Sequence, residues 1–275
     1  MKILIYCQPR TRSSFLLDIL CKHYNLKNYY EPYSDLLNPS YHKTFNKSPD
    51  NVFQKYKQNG KEITERLKNT ENFGVKLFAV CCYNYYKFAG IAARNSAIFP
   101  DKHTGTINEK SIIGDPPLEK KDLINVIDHY NLDMYDKIYV LYRDEVEKLA
   151  SNYHATYHER FIYRTEDIGF LKLYNTENKS LPTIQEWKLK ARILETVIFK
   201  YNVELLKKKY NNLVMLDYKD IPNYVKENYP NIVSEHQETN FDYKSLKKYD
   251  QLEELIKQYE KELKVDELLE TLLSN

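Results

Sequence analysis

The 275 residues carry 41 Lys and Arg against 39 Asp and Glu, a formal net charge of +2. So even a balance argues against a general nucleic-acid binder and leaves any anion site to local clustering. Four cysteines (Cys7, Cys21, Cys81 and Cys82) lack CxxC spacing, which points to a reduced, cytoplasmic chain.

The length suits one large domain or two small ones with a sizeable core, and one domain spanning 1–275 is expected. No basic leader precedes an apolar run, and no apolar run reaches the roughly 18 residues of a membrane span. The chain is therefore expected to have no membrane partner.

Lys2–Cys7 is a short apolar run of strand formers, suited to a buried parallel strand. Gln8, Pro9, Arg10, Thr11 and Arg12 break it with a proline and two cations. Ser13 and Ser14 are candidate helix caps, and Phe15, Leu16, Ile19 and Leu20 recur behind them at helical spacing. A strand, a basic hydroxyl-bearing loop and a helix N-terminus together favour anions, because backbone N–H groups and the helix dipole face the loop. GxxxxGK[ST] is absent, so this is not a Walker A loop.

Residues 26–30 read as a second strand ending at Glu31 and Pro32. Pro32 stops the pairing and holds Glu31 at the strand's C-terminal end, where ligands of open α/β sheets bind. Residues 51–69 suggest a charged amphipathic helix interrupted at Gly60. Residues 73–80 form a third strand with Lys76 embedded in it.

Residues 83–116 are irregular and aromatic. Tyr83, Tyr85 and Tyr86 could stack on a sugar or an adenine, although 26 tyrosines in one chain also cluster by chance. A helix is expected over 118–130, then a strand at Lys137–Tyr142 closed by Arg143, then a helix at Glu145–Tyr157 carrying Ser151. A long helix over 183–210, a strand over 212–217 with a short helix after it, and a charge-rich helical extension over 240–275 complete the reading. His154 and His158, four apart, could face one metal, but no third ligand has a recognisable spacing, and a packed or solvated helix face is the plainer reading.

Pro9, Arg10, Thr11, Arg12, Ser13 and Ser14 together resemble the 5′-phosphosulfate loop of sulfotransferases that use 3′-phosphoadenosine 5′-phosphosulfate (PAPS). The departure is Arg12, where many members carry glycine. Arg143 at a strand end and Ser151 eight positions on are similar to that family's 3′-phosphate pair. The resemblance covers roughly residues 1–220. It implies a three-layer α/β fold with a parallel central sheet, like that of P-loop nucleotide kinases.

It also implies PAPS as cofactor, 3′-phosphoadenosine 5′-phosphate (PAP) as product, no required metal, and a small-molecule or glycan acceptor. Arg10, Thr11, Arg12, Ser13, Ser14, Arg143 and Ser151 would bind the cofactor. Arg10 is also the candidate leaving-group cation, Lys76 a second cation, and Glu31, followed by Pro32 and Tyr33, the candidate base. His23 is the rival base. Glu31 and Lys76 also fit a surface carboxylate and a snorkelling lysine. A small-molecule kinase and a non-catalytic nucleotide-binding interaction protein remain alternative functions. The oligomeric state is not legible in the sequence.

Overall fold

The computed structural model describes residues 1–33, 49–84, 119–157, 186–234, 243–245 and 248–274. Five strands, β1 (Lys2–Cys7), β2 (Lys27–Tyr30), β3 (Phe73–Phe78), β4 (Lys137–Tyr142) and β5 (Val214–Asp217), pair in parallel in the order β2-β3-β1-β4-β5. All five expected strands are present, within two or three residues at their ends.

β1 is central, with Ile5 registered against Lys76 on one side and Tyr139 on the other. A strand covered on both faces reads as unbroken apolar sequence, and Ile3 through Cys7 are fully buried.

One face is covered by α1 (Ser13–His23) and, late in the chain, α6 (Ile221–Asn228). Ile3, Ile5 and Cys7 meet Leu16, Leu17, Leu20, Ile221 and Val225 there. The other face buries Leu4, Tyr6, Val75, Leu77 and Val140 against α2 (Pro49–Lys68), α4 (Glu145–Tyr157) and α5 (Glu186–Lys209). Helices α7 (Tyr249–Glu262) and α8 (Val265–Ser274) pack on α5 and add Leu252, Ile256 and Leu272 to the same core. The C-terminal helices therefore share the core of the sheet's second face.

Three expectations are corrected. Gly60 does not interrupt α2, which runs unbroken over 20 residues. The glycine instead admits a neighbour: a Cβ there would lie 2.9 Å from His129 Nε2.

Residues 119–130 do not form the single helix expected over 118–130. Leu123 bridges Tyr83, and the amides of Asn84 and Ile124 bond to Asp122 and Cys82 carbonyls. Only after the Asn125 side chain caps a new start does a single turn, α3 (Val126–His129), form.

The cap of α1 is Arg12, in the left-handed region at φ 57°, and Ser13 and Ser14 lie inside the first turn. Ser14 spends its hydroxyl on Lys76 instead of the helix end.

Among the described residues, no helix is long and apolar enough to cross a membrane. Residue 158 and residues 85–118 lie outside the described residues, as do the side chains of residues 153–157, so the His154–His158 pair and Tyr85 and Tyr86 have no structural account here. Tyr83 is buried core.

Candidate anion site at the C-terminal end of the sheet

The connection leaving β1 runs towards β2 at one edge, whereas the connection leaving β4 runs to β5 at the other. Open parallel sheets bind ligands where the direction of winding reverses, beyond the strands' C-terminal ends. The loop 8–12 and Arg143 both follow strands at that position.

The loop backbone is unusual. Arg10 at φ 68° and Arg12 at φ 57° are both left-handed, and so is Tyr30 at φ 54°, immediately before Glu31. Each such L-residue costs about 1 kcal/mol or more and persists where its surroundings impose it. Glycine would occupy position 12 without that cost. The loop is closed by the Thr11 hydroxyl, which donates to the Gln8 carbonyl at 2.9 Å. Among the described residues no side chain caps α1, so the first-turn amides point out of the helix end with its positive dipole.

Four cations surround that end. Lys76 is only 1% exposed, and its ammonium lies 2.6 Å from Glu31 Oε1 and donates to Ser14 Oγ at 2.6 Å. Glu31 is 36% exposed, so one carboxylate is anchored at the loop while keeping access to solvent. Arg10 Nε donates to Ser151 Oγ at 3.1 Å. Arg143 Nη1 donates to the Arg10 carbonyl, also at 3.1 Å.

Arg12 donates to the Tyr218 carbonyl at 3.1 Å. The Tyr218 ring carries two guanidinium groups, with Arg12 4.1 Å and Arg143 3.9 Å from its centroid. A ring quadrupole attracts each cation and spreads the cost of holding two together. Glu147 adds a carboxylate 3.7 Å from Arg143.

The structure thus brings Arg10, Thr11, Arg12, Ser13, Ser14, Glu31, Lys76, Arg143 and Ser151 to one end of the sheet. Their orientations differ. Thr11 and Ser151 are buried, and Arg143 is 4% exposed. In this state Arg143 and Ser151 hold Arg10, while Lys76 and Glu31 hold the helix side of the loop. His23 is remote: it ends α1, about 15 Å of helix rise from Ser13, and packs on Tyr24 and Tyr229.

Sequence reasoning missed Tyr218, although it noted the strand end at that place, and missed Lys148, which is buried on α4 behind the loop with its ammonium donating to Gln8 Oε1 at 2.9 Å. Lys148 has no motif around it; only its place one turn before Ser151 on the same helix marks it.

No protein-family model matches the chain, and no curated protein does.

Proposed function

We propose that this protein is a PAPS-dependent sulfotransferase with a P-loop-like fold, acting on a hydroxyl or amine acceptor of a small molecule or glycan. The observation that carries this reading is the meeting of two basic, hydroxyl-bearing elements: Arg143 bonds to Arg10 across 133 residues of chain, and Arg10 to Ser151 across 141. The strand order β2-β3-β1-β4-β5 and the uncapped start of α1 support it.

The residue chemistry fits a nucleotide with two separate anionic groups. Cations at 10, 12, 76 and 143 and hydroxyls at 13, 14 and 151 surround one helix N-terminus, and guanidinium groups suit phosphate and sulfate oxygens. Bound PAPS supplies a sulfuryl group whose S–O bond to the 5′-phosphate breaks as the acceptor's oxygen or nitrogen bonds to sulfur.

Arg10 neutralises charge building on the bridging oxygen. Glu31 accepts the acceptor's proton. Lys76 aims Glu31 and bonds to Ser14, tying the base to the loop. Arg143 and Ser151 bind the 3′-phosphate: Ser151 Oγ accepts from Arg10 Nε, and its own O–H can donate to a phosphate oxygen. Arginine and lysine carry the charge that magnesium carries in kinases.

The test is a melting-temperature comparison of PAP, AMP and ATP. A ligand at 100 times its dissociation constant adds about 2.7 kcal/mol of stability. PAP is expected to stabilise far more than AMP, since only PAP has a 3′-phosphate. Equal stabilisation by the two overturns the assignment of Arg143 and Ser151.

A further inference from the structure

Behind the loop, Lys148 is buried on α4. Its ammonium donates to Gln8 Oε1 at 2.9 Å and to Thr196 Oγ1 on α5 at 2.8 Å. Gln8 Nε2 donates to the same Thr196 hydroxyl at 3.0 Å, closing a three-membered ring of side chains. Glu145 and Glu195 favour the Lys148 charge; Arg192 and Lys200 oppose it.

Burying an ammonium is costly unless it is paired, and burial pulls the lysine's pKa below its usual range. Gln8 Nε2 and the Thr196 hydroxyl satisfy each other, but Gln8 Oε1 takes its hydrogen bond from Lys148, so an apolar side chain at 148 would strip that buried oxygen of its donor. The cation also adds orientation. It turns the Gln8 amide so that Oε1 faces α4 and Nε2 faces α5. Gln8 is also the residue whose carbonyl receives the Thr11 hydroxyl, so fixing Gln8 fixes the turn that holds Arg10 and Arg12 left-handed.

The same helix grips the loop again through Ser151, and Arg143 grips it from just before that helix.

We propose that Lys148 is a positioning residue that sets the shape of the 8–14 loop by pinning the Gln8 side chain. The loop is thereby held at two points from one helix, Gln8 by Lys148 and Arg10 by Ser151, and is preorganised before any anion arrives. Its effect on ligand binding rests on the sulfotransferase reading; its effect on the loop does not.

Hydrogen–deuterium exchange of the full chain, followed on peptides covering 8–14, separates the two. Lys148→Met and Gln8→Met each remove the Lys148–Gln8 bond, one from each end, and each also removes one bond to Thr196, so Thr196→Val serves as the control for those. Each Met variant is expected to speed loop exchange about tenfold, as loss of a charge-assisted hydrogen bond does. The double variant is expected to be no faster than either single one. The exchanged pair, Gln8→Lys with Lys148→Gln, is expected to restore slow exchange and the wild-type melting shift with PAP.

Additive acceleration in the double variant, or equal acceleration across β1, α4 and α5, would overturn the assignment and reduce Lys148 to general packing. If the loop responds as expected but PAP fails to stabilise the wild type, the positioning role stands and the sulfotransferase reading falls. Should Lys148→Met not fold, Gln8→Met and the exchanged pair still decide the question.

Discussion

Arg10 Nε and Ser151 Oγ, 3.1 Å apart, join the first loop of the chain to a helix that begins after the fourth strand. Under the proposed function Ser151 keeps this bond while its own O–H and the Arg143 guanidinium reach the 3′-phosphate. Arg143→Ala is therefore expected to erase the excess of PAP over AMP stabilisation. The fold should survive, because Glu147 keeps Lys219 and Lys244 at 3.6 and 3.9 Å. Ser151→Ala should diminish the same excess without abolishing it. Melting curves with each nucleotide check both.

Arg10→Ala is expected to lower turnover more than PAP affinity, since a leaving-group contact strengthens as charge develops. By analogy with loss of one oxyanion donor, the rate should fall on the order of 10²–10³. Equal losses in rate and affinity, measured by single-turnover kinetics and calorimetry, would leave Arg10 as a phosphate anchor only.

Glu31→Gln keeps the shape and one acceptor oxygen for Lys76 but removes the basicity. PAP binding should persist while turnover falls about 100-fold or more, within the range of general-base catalysis. Near-normal turnover would take Glu31 out of the mechanism and leave its contact with Lys76 as a structural ion pair.

Gly74→Ala tests the packing of α1 on the sheet. The new Cβ would lie 2.6 Å from Cys21 Sγ and 2.8 Å from Leu17 Cδ1, so a loss of about 1–3 kcal/mol is expected from overpacking. Cys21→Ala in the same chain should recover part of it, as read by urea denaturation.

His129 is buried against Gly60, and its Nε2 has no hydrogen-bond partner among the described residues. Burial, with Lys61 and Lys57 nearby, lowers its pKa from 6.5 to about 4. Between those values the unfolded chain binds a proton that the folded chain refuses, so stability should fall as pH drops from about 6.5 towards 4. His129→Asn should flatten that part of the profile. An unchanged slope would assign the acid sensitivity elsewhere.

Much of the sheet was legible because a strand covered on both faces must be apolar throughout, as Ile3 to Cys7 and Ile138 to Leu141 are. The breaks after those strands were legible too: Pro9 has no N–H for the ladder, and Arg10 and Arg143 end the apolar runs. Helix interruptions were not. Gly60 reads as a breaker, yet in α2 it serves close approach to a histidine 69 positions away, which no local pattern reports. Residues 118–130 have helical spacing, but pairing of 122–124 with 82–84 outcompetes it.

By itself, the sequence determined the alternation of strands and helices, the basic hydroxyl-bearing loop and the second arginine–serine pair, because each depends on local pattern and short spacing. Only the tertiary structure decided who holds whom: Lys76 between Glu31 and Ser14, Tyr218 under two guanidinium groups, and Lys148 against Gln8. Those partners lie from 45 to 206 residues apart in the numbering. Parallel pairing and the crossing of the chain over β1 bring them together, and a buried charge finds its partner through that path rather than through its neighbours in sequence.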